Sequence, residues 1–136
     1  MQYWLLKTEA ETYSWDDQVK KGIGGWDGVR NARAAAYLKR MEVGDLAFFY
    51  HTGKEKRIVG VVRVVTPAYP DKSDATGKFV MVDVETVAPF KTPVTLKEIK
   101  ADPQFADMQL ARIARLSVQK VEPEQWSTIR NMGGLK

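Results

Sequence analysis

Large apolar residues alternate loosely with polar ones from Gln2 to Thr8, a pattern that predicts an opening strand. Ser14 followed by Asp16 and Asp17 predicts a short capped helix, which Gly22, Gly24 and Gly25 end by opening a flexible loop. That loop closes on Trp26 to Asn31, and the Ala-, Leu-, Lys- and Arg-rich run Ala32 to Met41 predicts a second helix. Gly44-Asp45 turns the chain into a buried strand, Leu46 to His51, and Gly53 to Lys56 is a polar turn. Arg57 to Val65 is β-branched and apolar on both faces, as in a central strand, and Pro67, Pro70 and Asp71 break it into a loop reaching Gly77. Phe79 to Val87 alternates and predicts a strand with one buried face. Thr95 and Glu98 form a capping box for a helix begun near Pro93, and a second helical stretch covers Gln104 to Leu110. Arg115 to Val121 predicts a last strand, and Pro123 starts a helix, Glu124 to Met132, that Gly133-Gly134 ends. No repeat, linker or low-complexity segment interrupts the chain, so residues 1–136 predict a single α+β domain built on a curled sheet or small barrel.

Composition narrows the chemistry. The absence of cysteine excludes disulfides, thiolate zinc sites and cysteine nucleophiles. The first apolar stretch is too short for a signal peptide or a membrane span, so a cytoplasmic protein with no membrane association is expected. The net charge of +4 has no clustered tail, and it fits either a solvated surface or a polyanion-binding face. There is no Walker loop and no dinucleotide glycine fingerprint. One histidine cannot build a two-histidine ribonuclease site, and no nucleophile elbow supports a Ser-His-Asp triad.

Candidate binding residues stand at strand ends and in the glycine-rich loop. Tyr50, His51 and Thr52 end a strand, where a ring, an imidazole and a hydroxyl can stack on a flat ligand and bond its edge. Trp4 and Trp126 read as core, and Trp15 as either core or site. Trp26, carried on a loop, reads as a site residue whose loss should leave the fold nearly intact. Asn31 can cap a helix or read a base edge, and Arg30 can lie on the surface or hold a phosphate. Tyr69-Pro70-Asp71 is a turn signature.

Tyr3-Trp4-Leu5-Leu6-Lys7-Thr8-Glu9, Tyr13-Ser14-Trp15, Trp26-Asp27-Gly28-Val29-Arg30-Asn31, Gly44-Asp45 with Phe48-Phe49-Tyr50-His51, Ala68-Tyr69-Pro70-Asp71, Pro93-Val94-Thr95-Leu96 and Arg115-Leu116-Ser117-Val118 together resemble the EVE domain family. The resemblance runs in order along nearly the whole chain. It implies a PUA-like fold, a curled β-barrel of about five or six strands with flanking short helices, related to the YTH domains that read methylated adenine. It implies a monomeric, non-enzymatic module that takes a modified base of DNA or RNA, such as 5-methylcytosine, flipped into an aromatic and polar pocket. Neither a cofactor nor a metal is implied. Carried over by position, the implied pocket residues are Trp26, Arg30, Asn31, Tyr50, His51 and Ser117, with Trp15, Lys7 and Asp71 as further members. The chain departs at Ala34, where the family more often has Asn, which implies a lost polar contact at the pocket rim. The related ASCH domain offers the alternative of a hydrolase or nuclease acting on RNA or a modified nucleoside, but Gly53-Lys54-Glu55-Lys56-Arg57 has the wrong spacing for its pattern. A plain protein-interaction module is the third possibility.

Overall fold

In the computed structural model, which describes residues 1–135, six strands form one mixed sheet. The strands are β1 (Tyr3–Thr8), β2 (Ile23–Trp26), β3 (Leu46–His51), β4 (Arg57–Pro70), β5 (Val80–Thr95) and β6 (Val118–Val121). The helices are α1 (Trp15–Lys21), α2 (Ala32–Arg40), α3 (Leu96–Ala101), α4 (Gln109–Arg112) and α5 (Pro123–Met132), with a 3-10 turn at Pro103–Phe105. The sheet order is β2-β5-β4-β3-β1-β6; β1 and β3 are parallel and the other pairs antiparallel. The expected α+β, PUA-like architecture is present, with the sheet open between β2 and β6. No helix among the described residues is long and apolar enough to cross a membrane.

Strand alternation sends successive side chains to opposite faces, and both faces are covered. Trp4, Leu6 and Phe49 pack with Trp15, Ala34 and Leu38 beneath α1 and α2. Leu5, Phe48 and Tyr50 pack with Ile99, Leu110, Trp126 and Ile129 beneath α3, α4 and α5. Trp126 stacks on Phe48 at 3.9 Å between ring centroids, and on Tyr3 at 4.6 Å. Asp45 is buried at the foot of β3, where it accepts hydrogen bonds from the backbone of Gln2 and Glu42 and from Trp4 Nε1 at 3.0–3.1 Å. It thereby fixes the register of β1 on β3.

Five expectations change. β4 does not break at Pro67 or Pro70, and β5 runs on through Pro89 and Pro93. Those prolines lie where each strand has one free side: β3 pairs with β4 only up to Arg63, and β2 pairs with β5 only over Val82–Glu85. An edge needs no N–H on its open side, so proline is tolerated there. The glycine run is strand β2 rather than a flexible loop. The stretch Gln104 to Leu110 splits into the 3-10 turn and α4, and the last strand begins at Val118 instead of Arg115. The other helices form where their caps predict. Ser14 and Thr95 each accept from the third backbone N–H of their helix, with the side chains of Asp17 and Glu98 returning the bond.

Candidate nucleic-acid interface

The curl of the sheet brings β1 and β2 to one opening although three strands separate them. Lys7 and Thr8 from β1, Gly25 and Trp26 from β2, and Thr12, Tyr13, Lys21 and Asp27 around them line a cup of about 250 Å³. Two glycines make this corner possible. A Cβ on Gly24 would lie 2.6 Å from the Tyr13 hydroxyl, and one on Gly25 would lie 2.4 Å from Met81 Cε. With no side chain at position 24, Tyr13 reaches in and donates to Gln18 Oε1 at 2.7 Å. Gln18 is fully buried, and its Nε2 donates to the carbonyl of Val84 at 3.3 Å, tying α1 to β5. Tyr13 meets Trp26 edge-on, with ring centroids 5.9 Å apart. Burial first, and then the charge of Asp17, push the Tyr13 hydroxyl above its ordinary pKa, so it stays a neutral donor.

Lys7 stands between this cup and a second concavity. Its Nζ donates to the carbonyl of Ala114 at 3.2 Å and lies 5.6 Å from the centroid of Tyr50. Burial, and secondarily the positive charge of Lys100, lower its pKa. The second concavity, about 350 Å³, is lined by Lys7, Tyr50, Thr52, Lys56, Lys100 and Arg112 among others. It shares Lys56, Leu96 and Lys100 with a larger concavity, about 670 Å³, which adds Lys54 and Lys97. Burial pushes the Tyr50 hydroxyl up to about 12. Among the described residues, no cluster of three or more histidines and carboxylates is placed to hold a metal.

The strand-end trio Tyr50, His51 and Thr52 does not converge. Alternation sends Tyr50 and Thr52 to the basic concavity and His51 to the opposite face, under α1. There His51 Nε2 accepts from the backbone N–H of Trp15 at 3.0 Å, and Nδ1 meets Glu55 Oε1 at 2.9 Å. Trp15 is 8 % exposed, its ring edge-on to Phe49 and pressed over Gly60. Trp26 lines the cup yet is only 6 % exposed, because it also meets Phe49 edge-on in the core. The expectation that it is a dispensable loop residue is therefore corrected.

Arg30 and Asp71 form a latch beside the cup. Arg30 Nη1 donates to Asp71 Oδ2 at 3.0 Å and Nη2 to Ser73 Oγ at 3.0 Å. Asp71 is buried and also accepts from the backbone N–H of Gly28 and of Ser73. Burial alone would raise its pKa, but the bonds from Ser73, Gly28 and Arg30 outweigh it and hold the carboxyl well below the usual range. Asn31 is the N-cap of α2, accepting from the Ala34 N–H at 2.9 Å. Ala34 is fully buried, so that position is core and not a pocket rim. Ser117 accepts from the Lys7 backbone N–H at 2.9 Å and steers β6 onto β1. Of the residues expected at a pocket, Lys7 and Trp26 meet in the cup, and Lys7 and Tyr50 in the basic concavity. The others line neither concavity.

Sequence reasoning missed Tyr13, Asp27, Lys56, Lys100 and Arg112. Tyr13 and Asp27 stand inside quoted motifs, so adjacency to tryptophan was the available signal. The three cations are scattered along the chain and only the fold gathers them.

The sequence profile of the EVE domain family matches residues 2–132. A Rhodopseudomonas palustris protein solved by NMR is 48% identical with a TM-score of 0.92, over 98% of this chain and 94% of that one. The human THYN1 protein, solved in complex with 5-methylcytosine containing DNA, is 30% identical with a TM-score of 0.90, over 100% of this chain and 99% of that one. Thymocyte nuclear protein 1 of Mus musculus is 32% identical over 164 residues, spanning 96% of this chain and 73% of that protein.

Proposed function

The chain belongs to the EVE domain family, and from that premise we propose that it binds DNA by taking one modified cytosine into the cup between Lys7, Tyr13, Trp26 and Asp27. The observation that carries this reading is the cup's combination of walls and edges. Aromatic residues flank it, a half-buried amine offers a donor, and a carboxylate offers an acceptor. Its volume of about 250 Å³ lies just below the ~300 Å³ lower bound usual for drug-sized ligands, which suits one planar ring. A base stacked in a duplex cannot enter such a recess, so it must be extruded, which costs a few kcal/mol. Cytosine presents an exocyclic amino donor beside ring acceptors. Asp27 suits the amino group and Lys7 the acceptors, whereas thymine or uracil would turn a carbonyl oxygen toward the carboxylate. The relative solved with 5-methylcytosine containing DNA covers the whole chain and supports methylated cytosine as the ligand class.

The test is fluorescence anisotropy at fixed salt with matched DNA and RNA oligomers carrying cytosine, 5-methylcytosine, 5-hydroxymethylcytosine, thymine or N6-methyladenine. At least tenfold tighter binding of the methylated-cytosine DNA is expected, about 1.4 kcal/mol. Equal binding of all oligomers would remove the reading, and preference for a modified RNA would move it to RNA. Conversion of the oligomer would replace it with the hydrolase alternative.

A further inference from the structure

The two rims of the cup differ in their balance of charge. On the β1 side the cup opens through Lys7 into the concavity holding Lys56, Lys100 and Arg112, and then into the one that adds Lys54 and Lys97. The carboxylates on that side are engaged or distant. Glu55 Oε1 is held by His51 Nδ1 at 2.9 Å and by Arg57 Nε at 3.0 Å. Glu98 accepts from the Thr95 backbone in its capping box, and Asp107 pairs with Arg112 only at 3.9 Å and on the open surface, unlike the buried Asp71 that holds Arg30. Among the described residues, no carboxylate pairs with Lys54, Lys56, Lys97 or Lys100. Burial is the main cause of the lowered pKa of Lys7, and the charge of Lys100 on this side adds to it.

The β2 side is richer in carboxylates than in cations. Asp27 lines the cup, and Asp83 lies opposite Gly25 in register and accepts the Tyr69 hydroxyl at 2.5 Å. The hydrogen bond to Asp83 first, then burial, and then the charges of Asp83, Asp27 and Asp71 raise the Tyr69 pKa to about 12. Among the described residues, Lys21 is the one cation lining the cup there, its Nζ held 5.4 Å from the centroid of the Tyr13 ring, and Arg30 is spent on Asp71.

We infer that the protein grips the nucleic-acid strand on one flank of the bound base only, the phosphates of that flank lying along Lys56, Lys100 and Arg112. The inference rests on the base-binding reading and adds a polarity to it. Phosphates on the other flank would meet Asp27 and Asp83 and stay in solvent. Arg30, the residue that sequence alone nominates for phosphate, takes no part, because freeing it would leave the buried Asp71 carboxylate without its ion pair.

Single-stranded DNA oligomers with one 5-methylcytosine at the 5′ end, the centre or the 3′ end test this. Lengthening one flank from one to five nucleotides should tighten binding, and lengthening the other should leave it unchanged within about twofold. The slope of log affinity on log salt should steepen by ~0.7 per phosphate engaged on the first flank only. In the triple variant Lys56→Gln, Lys100→Gln, Arg112→Gln that flank-dependent slope should vanish, while the preference for methylated over unmethylated cytosine persists. Arg30→Gln should keep the slope. The triple variant alters surface side chains, and an unchanged Tm separates loss of grip from loss of fold. Equal gains from both flanks, or an unaltered slope in the triple variant, would overturn the one-sided grip and leave base recognition standing. Absence of binding by every oligomer would instead overturn the base-binding reading.

Discussion

The backbone N–H of Trp15 donates to Nε2 of His51 at 3.0 Å, so the one histidine of the chain caps a helix. Nε2 must carry a lone pair to accept, which puts the ring proton on Nδ1, facing Glu55 Oε1 at 2.9 Å. Ser14 satisfies the N–H of Asp17, and His51 satisfies that of Trp15, two of the free donors that a helix start leaves. The bond docks α1 onto the end of β3, and the segment entering α1 carries Tyr13, a wall of the cup.

His51→Ala removes that acceptor and leaves a buried N–H unpaired. Stability should fall by about 1–3 kcal/mol. In urea titration the midpoint moves down. Binding of methylated DNA, measured where both proteins are folded, should change less than threefold. A large affinity loss with an unchanged midpoint would return His51 to the ligand.

Trp26→Ala should cost about 3–5 kcal/mol of stability, the range for deleting a buried aromatic side chain. Trp26→Phe keeps most of the packing against Phe49 and should fold. Its binding of methylated DNA should weaken measurably, because it alters a wall of the cup. A Trp26→Ala protein as stable as wild type would show that the ring is not core.

The contrast between His51 and Trp26 shows where the sequence was legible. Periodicity and caps located the central strands and most helices, because Ser14, Asn31 and Thr95 act over three residues. Gly24-Gly25 read as a flexible loop because glycine weakens a strand; here its purpose is the close approach of Tyr13 and Met81, which only the tertiary fold reveals. His51 and Arg30 looked like ligand-binding groups because their partners, Trp15, Glu55, Asp71 and Ser73, cannot be foreseen from their own neighbourhoods. Trp26 is legible from its place after the glycine run, and Lys7 only through motif resemblance. The basic strip was not found, since Lys56, Lys100 and Arg112 lie on three separate segments.

Gly60→Ala and Gly25→Ala should separate two kinds of close contact. A Cβ at position 60 would lie 2.5–2.7 Å from three carbons of the Trp15 ring, and one at position 25 would lie 2.4 Å from the terminal methyl of Met81. The Trp15 ring is fixed on Phe49 and cannot retreat, whereas a methionine end can turn. Gly60→Ala should therefore cost about 3 kcal/mol or more, beyond the usual 1–3 for overpacking, and Gly25→Ala clearly less. Equal losses of melting temperature would contradict the assignment.

Asp71→Asn tests the latch by its pH dependence. The folded carboxyl titrates below the unfolded one, so its contribution is fully present above the unfolded value of about 3.9 and is lost as pH falls toward the folded value. The stability gap between wild type and Asp71→Asn should be constant from about pH 7 to pH 5 and should shrink from there toward pH 3. Other carboxylates titrate in both proteins and cancel in the difference. A gap that widens in acid would reverse the sign and refute the latch.

Asp27 and Lys7 give the cup its two hydrogen-bonding poles, and their substitution separates recognition from affinity. Asp27→Asn keeps the size of the side chain and adds an amide donor that can face a carbonyl oxygen. Discrimination against thymine at the target position should therefore drop by about 1–3 kcal/mol, the value of one well-placed edge contact. Stability should stay within about 0.5 kcal/mol, because Asp27 is exposed. Lys7→Met keeps an apolar stem and removes both the donor and the charge that lies over the Tyr50 ring. It should weaken every oligomer and lower the salt slope by about one contact, with an added loss for cytosine bases. Competition between methylcytosine and thymine oligomers, run on each variant at two salt concentrations, distinguishes the roles. If Asp27→Asn leaves the cytosine-to-thymine ratio where it was, the carboxylate does not read the base, and the cup recognises its ligand by shape alone.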